Sequence, residues 1–282
     1  MSLDDSINMI CQNLSDYAYY HEDAYVSQHG TPGIQHGHVI TWLEQFDCAK
    51  REYFAQAFAK MLSRSYIGKN SVQRASHFLL TSHSVTNGNI MFFQNASFLD
   101  IQQNGQSQKR FLYDFIIPQA QALSIPYAIN DLTKTNFLYF DDVLFSGGRI
   151  GDDLQEWINN TAPQSCEIVC VFIFIYTYGV YNVKKRLKKV ISDSGKNITF
   201  RFCRMAKINN NRLFPGVTDV LHPREVPAEA SAFYDEMLAN SNFTILRGYH
   251  QPAPSLFFSN EAERSLLEEQ FVIAGLRILS SL

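Results

Sequence analysis

Two adjacent acids, Asp141 and Asp142, stand at the end of an apolar run, Phe137 to Phe140. Three residues later come a hydroxyl and two glycines, Ser146-Gly147-Gly148, and then Arg149 and a segment with apolar residues at 3.6-residue spacing (Ile150, Leu154, Trp157, Ile158). The pattern predicts a buried strand, a tight loop and a helix N-terminus, with both carboxylates at the strand's carboxyl end. Open α/β sheets bind ligands at that edge. Glycines let the backbone approach a phosphate, and the N–H groups of the first helical turn attract it. The acids then face whatever hydroxyls or metal-bound groups lie beside the phosphate. A phosphorylated sugar satisfies all three parts.

Other readings compete. Tyr139-Phe140-Asp141-Asp142 also spells the Y-x-D-D metal-binding motif of reverse transcriptases, but there a second strand follows, whereas here a glycine turn and a helical pattern do. A Walker B strand needs a partner P-loop, and the nearest fragment, Gly68-Lys69-Asn70, lacks the leading glycine and the hydroxyl. A strand end with two solvated acids and a plain turn is the reading without chemistry.

The order of parts resembles the phosphoribosyltransferase signature: apolar residues, two acids, three variable residues, Thr or Ser, Gly, a free position, and Thr or Ser. By that resemblance Asp141 and Asp142 hold the two ribose hydroxyls of phosphoribosyl pyrophosphate. Phe145, Ser146, Gly147, Gly148 and Arg149 form the phosphate cradle. Arg149 stands where the family has a second hydroxyl, exchanging one side-chain hydrogen bond for a charge-assisted one. The family holds pyrophosphate on an earlier loop, and Ser82, His83 and Ser84 are the candidates, in a polar stretch after the short apolar run His77–Thr81. It also uses a mobile flap, for which 102–110 would serve, with Lys109 and Arg110 as phosphate partners; a plain hairpin tip is the alternative. Mg²⁺ is implied through the substrate, with Asp141 or Asp142 reaching it indirectly.

The supporting elements are a helical N-terminal region over 1–73, an α/β core over 74–205 and a C-terminal extension over 206–282 that packs on the core. In the core, strands at 77–81, 137–140, 167–176 and 199–203, with a strand end at 127–129, alternate with helices at 89–98, 119–123, 150–160 and 181–192, which argues for a parallel sheet. Residues 167–176 are a continuous β-branched and aromatic run suited to burial on both faces. The fold class expected is α/β, with a parallel sheet of type I phosphoribosyltransferase type, a helical lead-in and an α+β extension. Residues 21–38 read as a loop. Within it His36 and His38 would share a side on a strand, and a metal there is the alternative to plain solvent exposure.

Of the 282 residues 46% are apolar, enough for a sizeable core. The formal charge of −3 excludes a generic nucleic-acid coat but not a local basic patch such as Lys184–Lys189. That run is either a solvated helix face or a contact for nucleic acid or an acidic partner. Five cysteines, odd in number and without C-x-x-C spacing, fit a reducing, cytoplasmic setting. The N-terminus lacks the basic and apolar parts of a signal peptide. The longest apolar segment, 168–176, is about half of what a membrane span needs, so no membrane association is expected.

More widely, the chain resembles the phosphoribosyltransferase-like domain of bacterial conflict and antiphage defence systems. Three features carry this: the lead-in Trp42-Leu43-Glu44-Gln45-Phe46, the loop from Asp141 to Leu154, and Leu246-Arg247-Gly248-Tyr249 followed by the apolar stretch 255–258. The resemblance implies an effector acting on phosphoribosyl pyrophosphate or a nucleotide, as a transferase or nucleotide N-glycosidase. Some members are encoded beside retron reverse transcriptases and winged-helix proteins. A catalytically silent binding subunit, working through a reverse transcriptase or nucleic-acid partner, is the rival.

Overall fold

The computed structural model of the chain describes residues 1–16, 33–89, 91–103, 107–210, 218–240, 246–247 and 257–279. Two compact units are present, one made of residues 1–69 and 210–282, the other of residues 70–209.

The second unit is an α/β fold built on four parallel strands, β1 (Ala96–Phe98), β2 (Asn136–Leu144), β3 (Ser165–Tyr176) and β4 (Asn197–Ile208), paired in the order β1-β2-β3-β4. A parallel sheet is thus observed where the alternation of elements predicts one. Phe137–Phe140 and Ile168–Phe172 are wholly buried, so apolar side chains on both faces stabilise the middle of the sheet. After β2 comes a helix over Gly148–Asn160, and after β3 one over Thr177–Ser194. Both cover the same face: Leu154, Trp157, Val183 and Leu187 share a core cluster with Phe137, Tyr139, Ile168, Cys170 and Phe172. Parallel strands taken in sequence order require this, because each right-handed crossover returns on the same side.

Several local expectations change. His77–Thr81 is no strand but the end of helix Lys69–Thr81, whose buried residues Val72, Ala75, Ser76, Leu79 and Leu80 recur at helical spacing. A five-residue apolar run cannot by itself separate the two states. The helix expected over 89–98 is instead a 3₁₀ turn, Phe92–Asn95, followed by β1, so the first core strand lies some twenty residues later than read. Residues 127–129 contribute a single bridge, Ile129 to Phe98. His36 and His38 sit on helix His36–Leu43, where residues two apart diverge. His36 meets Asp4 at 2.9 Å, and His38 Nδ1 accepts from the Gln35 N–H.

In numbered order the helices of the first unit are α1 (Leu3–Asn13), α2 (His36–Leu43) and α3 (Arg51–Ser65). Those of the second are α4 (Lys69–Thr81, beginning at its boundary), α5 (His83–Thr86), α6 (Ser107–Arg110, continued by a π turn), α7 (Ile117–Ala122), α8 (Gly148–Asn160) and α9 (Thr177–Ser194). α10 (Ser231–Asn240) and α11 (Glu261–Leu279) return to the first unit. The C-terminal region, expected to pack on the sheet core, joins the N-terminal helices in one unit. Phe271 of α11 meets Trp42, Phe46, Phe54 and Phe58 at ring distances of 5.4–6.4 Å. Apolar stripes on α2, α3 and α11 are thereby buried against each other. No described helix is long and apolar enough to cross a membrane.

Candidate functional site

Strand β2 carries the acids to the carboxyl edge of the sheet. Alternation puts Asp141 on the same face as Tyr139, the face covered by α8 and α9. Asp141 is buried and Asp142 half-buried. The Asp142 N–H donates to Asp141 Oδ1 at 3.0 Å, and the Val143 N–H donates to Asp142 Oδ1 at 2.7 Å. Each carboxylate therefore keeps one oxygen uncommitted by these bonds. Burial first, and then the neighbouring charge of Asp142, hold the Asp141 carboxyl well above the usual range, while Arg149 pulls it down. Asp141 makes no salt bridge among the described residues.

The loop that follows is seated backbone against backbone. Gly147 has φ of +80°, and a Cβ there would strike Val183 Cγ2 and come within 2.7 Å of the Gly179 carbonyl oxygen. A Cβ on Gly179 would strike the Phe145 carbonyl oxygen. These two glycines let the loop lie directly on the first turn of α9. Asn182 of α9 donates to the Ser146 carbonyl at 3.2 Å, and Ser146 Oγ accepts from the Gly148 N–H at 3.3 Å. Gly148 opens α8, and its missing Cβ would meet only Ser146 Oγ, at 3.6 Å. The N–H groups of Arg149 and Ile150, in the first turn of α8, have no intrahelical acceptor. Strand end, acids, hydroxyl, glycines and helix start thus lie together.

Residues 39–277 match the PRTase-CE family. The chain belongs to that family, a phosphoribosyltransferase-like domain of conflict systems. No curated protein matches it. Among the described residues, this PRTase-CE domain gathers no group of three or more His, Cys, Asp or Glu side chains able to hold a metal.

Ser82, His83 and Ser84 lie elsewhere in this PRTase-CE domain. Ser82 caps the single turn of α5, and the Ser84 carbonyl accepts from Arg201 Nη1 and from Cys203 Sγ at 3.0 Å. Arg201 and Cys203 alternate along β4 with Phe200 and Phe202, which pack on the α8–α9 side. The three candidates are therefore on the opposite face of the sheet from Asp141. What adjoins α8 is the segment after β1. Arg149 Nη1 donates to Ser107 Oγ at 3.2 Å, and the Gln103 N–H donates to Asp153 Oδ1 at 3.3 Å. The stretch expected as a flap is tied down at both described ends. Gln102 and Gln108 are buried and bonded to each other at 3.1 Å, and Lys109 lies 3.9 Å from Asp100. Residues 104–106 lie outside the described residues.

Asp153 is the residue that sequence reading passes over. It is buried, and besides Gln103 it accepts from Tyr139 Oη at 3.1 Å. Burial raises its carboxyl, and the Gln103 N–H, the Tyr139 hydroxyl and Arg149 lower it. The Tyr139 phenol is driven far up, by burial and then by the charges of Asp141 and Asp153. The signal was present, since Asp153 falls on the apolar stripe of α8 between Ile150 and Trp157, where an acid needs buried partners.

Proposed function

We propose that this chain binds a ribose 5-phosphate group, from phosphoribosyl pyrophosphate or a nucleotide, at the carboxyl end of β2 and acts at the anomeric carbon. Asp141 and Asp142 accept the 2- and 3-hydroxyls. The first-turn N–H groups of α8, the Ser146 hydroxyl and the Arg149 guanidinium hold the 5-phosphate. As the leaving group departs, positive charge develops on the ring, and the two acids, with Asp141 ionised once the ligand is in place, stabilise it, an electrostatic contribution often worth about 10²–10³ in rate. Two adjacent carboxyls that also meet each other fit a Mg²⁺ carried by the substrate's phosphates better than a protein-held ion. When bound, it would neutralise the departing pyrophosphate. In a conflict system the expected consequence is an effector that depletes nucleotides in antiphage defence.

The observation supporting this reading is Asp141 itself. A buried acid without an ion pair is costly unless hydroxyls or a cation arrive to meet it. One observation favours the rival, a silent binding subunit acting through a reverse transcriptase or nucleic-acid partner: Arg149 replaces the second hydroxyl and is bonded to Ser107. Titration calorimetry with phosphoribosyl pyrophosphate and Mg²⁺, beside a turnover assay on mixed nucleotides, separates the two. The enzyme reading expects binding, and turnover that falls about 10²-fold or more in Asp141→Asn/Asp142→Asn. Binding without turnover in either protein would favour the subunit, and no heat at millimolar ligand would remove the sugar-phosphate site.

A further inference from the structure

The basic run of α9 has no task in the site described above, yet it adjoins it. A groove of about 360 Å³ lies between α8 and α9, lined by Gln155 on one side and by Asn182, Lys185, Arg186, Lys189 and Asp193 on the other. Its near end is Asn182, the side chain bonded to the Ser146 carbonyl. From there it follows α9 for about 10 Å to Lys189, at 1.5 Å per residue. Arg186 is fixed in it, with Nε on Gln155 Oε1 at 2.8 Å and Nη2 on Asp152 at 2.6 Å. Lys185 and Lys189 are exposed and have no ion pair among the described residues. They stand four residues apart, so their charges repel along the helix, and Lys184 and Lys188 repeat the pattern beside them. Solubility does not require such clustering in a chain of net charge −3.

Two large rings next in sequence to the site are exposed without lining the groove. Phe145, directly before Ser146, is 62% exposed, and Tyr181, directly before Asn182, is 54% exposed. A basic groove leading to the loop offers a single strand cations along its backbone. We infer that the groove is a track for the phosphodiester backbone of a single strand, whose terminal nucleotide occupies the Ser146 loop. This deepens the ribose-phosphate reading and rests on it for the end that is bound. With its hydroxyls on Asp141 and Asp142 and its 5′-phosphate on the loop, that nucleotide is a 3′ end, and the rest of the strand leaves through the phosphate past Asn182. Asp193 closes the far end by repulsion, so the track is short.

Fluorescence anisotropy of a short single-stranded oligoribonucleotide, labelled at its 5′ end and titrated across a range of salt, tests the track. Lys185→Gln/Lys189→Gln should lower the magnitude of the log–log salt slope by about 1.4, since each phosphate neutralised on a single strand contributes about 0.7. Affinity near 0.1 M salt should fall about 25-fold. Thermal unfolding at the wild-type midpoint verifies that the variants fold, and Lys185→Ala/Lys189→Ala is the second variant should the glutamines fail it. Equal affinity and slope in wild type and lysine variant, or no binding by wild type, overturns the track. Calorimetry with a mononucleotide reads the loop separately. Mononucleotide binding without oligonucleotide binding fails the track alone. Lysine-dependent oligonucleotide binding without mononucleotide binding fails the cradle and leaves the track.

Discussion

Glu268, in the unit formed by the two ends of the chain, and Asp141, in the sheet unit, are both buried carboxylates, and they are treated in opposite ways. Glu268 accepts from Arg247 Nε at 2.9 Å, from Arg264 Nε at 2.9 Å and from the His222 N–H at 3.2 Å. Arg264 continues to the Thr218 and Val220 carbonyls, and Arg247 to Glu261 and Ser265. Burial still raises the Glu268 carboxyl, but both guanidiniums pull against it. Asp141 has one backbone N–H, a like charge next door and no salt bridge among the described residues. A buried charge that the fold itself satisfies ties segments together. One left short of partners, as Asp141 is, suits the ligand site proposed for it.

The largest test of this contrast is Arg247→Ala. Removing one partner of a buried, hydrogen-bonded charge costs about 3–5 kcal/mol, because Glu268 keeps its burial and loses one of its two guanidiniums. Urea unfolding of the whole chain should show that loss. A change under about 1 kcal/mol would place the cluster with exposed ion pairs and remove half of the comparison. Arg247 belongs to the stretch Leu246–Tyr249 that carries part of the family resemblance, and its described role is structural.

The next test stays beside Asp141 and separates packing from ligand access. Gly147→Ala meets a positive φ and two occupied positions, Val183 Cγ2 and the Gly179 carbonyl. It should cost about 1–3 kcal/mol from backbone strain alone. Gly148→Ala meets only Ser146 Oγ at 3.6 Å, so its stability change should stay within about 0.5 kcal/mol. Equal losses in thermal or urea unfolding would show that the loop is not anchored through Gly147 and α9.

The same contrast explains what could be read from residues alone. Strand, acids, loop and helix from Phe137 to Ile158 were legible because a long buried run, a glycine turn and a 3.6-residue stripe follow one another without a gap. Short apolar runs were not: Leu79 and Leu80 serve a helix, while Ala96–Phe98, three residues long, is the strand. Partnerships across the chain were least legible. Nothing local to Arg247 announces Glu268, and nothing local to Gln103 announces Asp153. The parallel sheet could be inferred from alternation, but joining the two ends of the chain depends on aromatic contacts between residues over two hundred positions apart, such as Phe46 and Phe271.

The smallest expected effect is the most informative about Asp141. Its carboxyl is raised in the folded state by burial and then by Asp142, so the fold favours the neutral acid. The stability contributed by that neutral form is complete below the unfolded carboxylate's range and is lost as pH rises through the raised folded value. Asparagine mimics the neutral acid at every pH and can still accept the Asp142 N–H. Asp141→Asn should therefore match wild type in acid and become the more stable protein as pH rises, by about 1 kcal/mol near neutrality, a size usual when a functional site is relieved of its own cost. Its affinity for phosphoribosyl pyrophosphate should fall over the same range. Denaturation midpoints taken across pH with and without that ligand carry the test. If asparagine were less stable at every pH, Asp141 would have a permanent partner in the fold, and its likeness to Glu268 would replace the contrast.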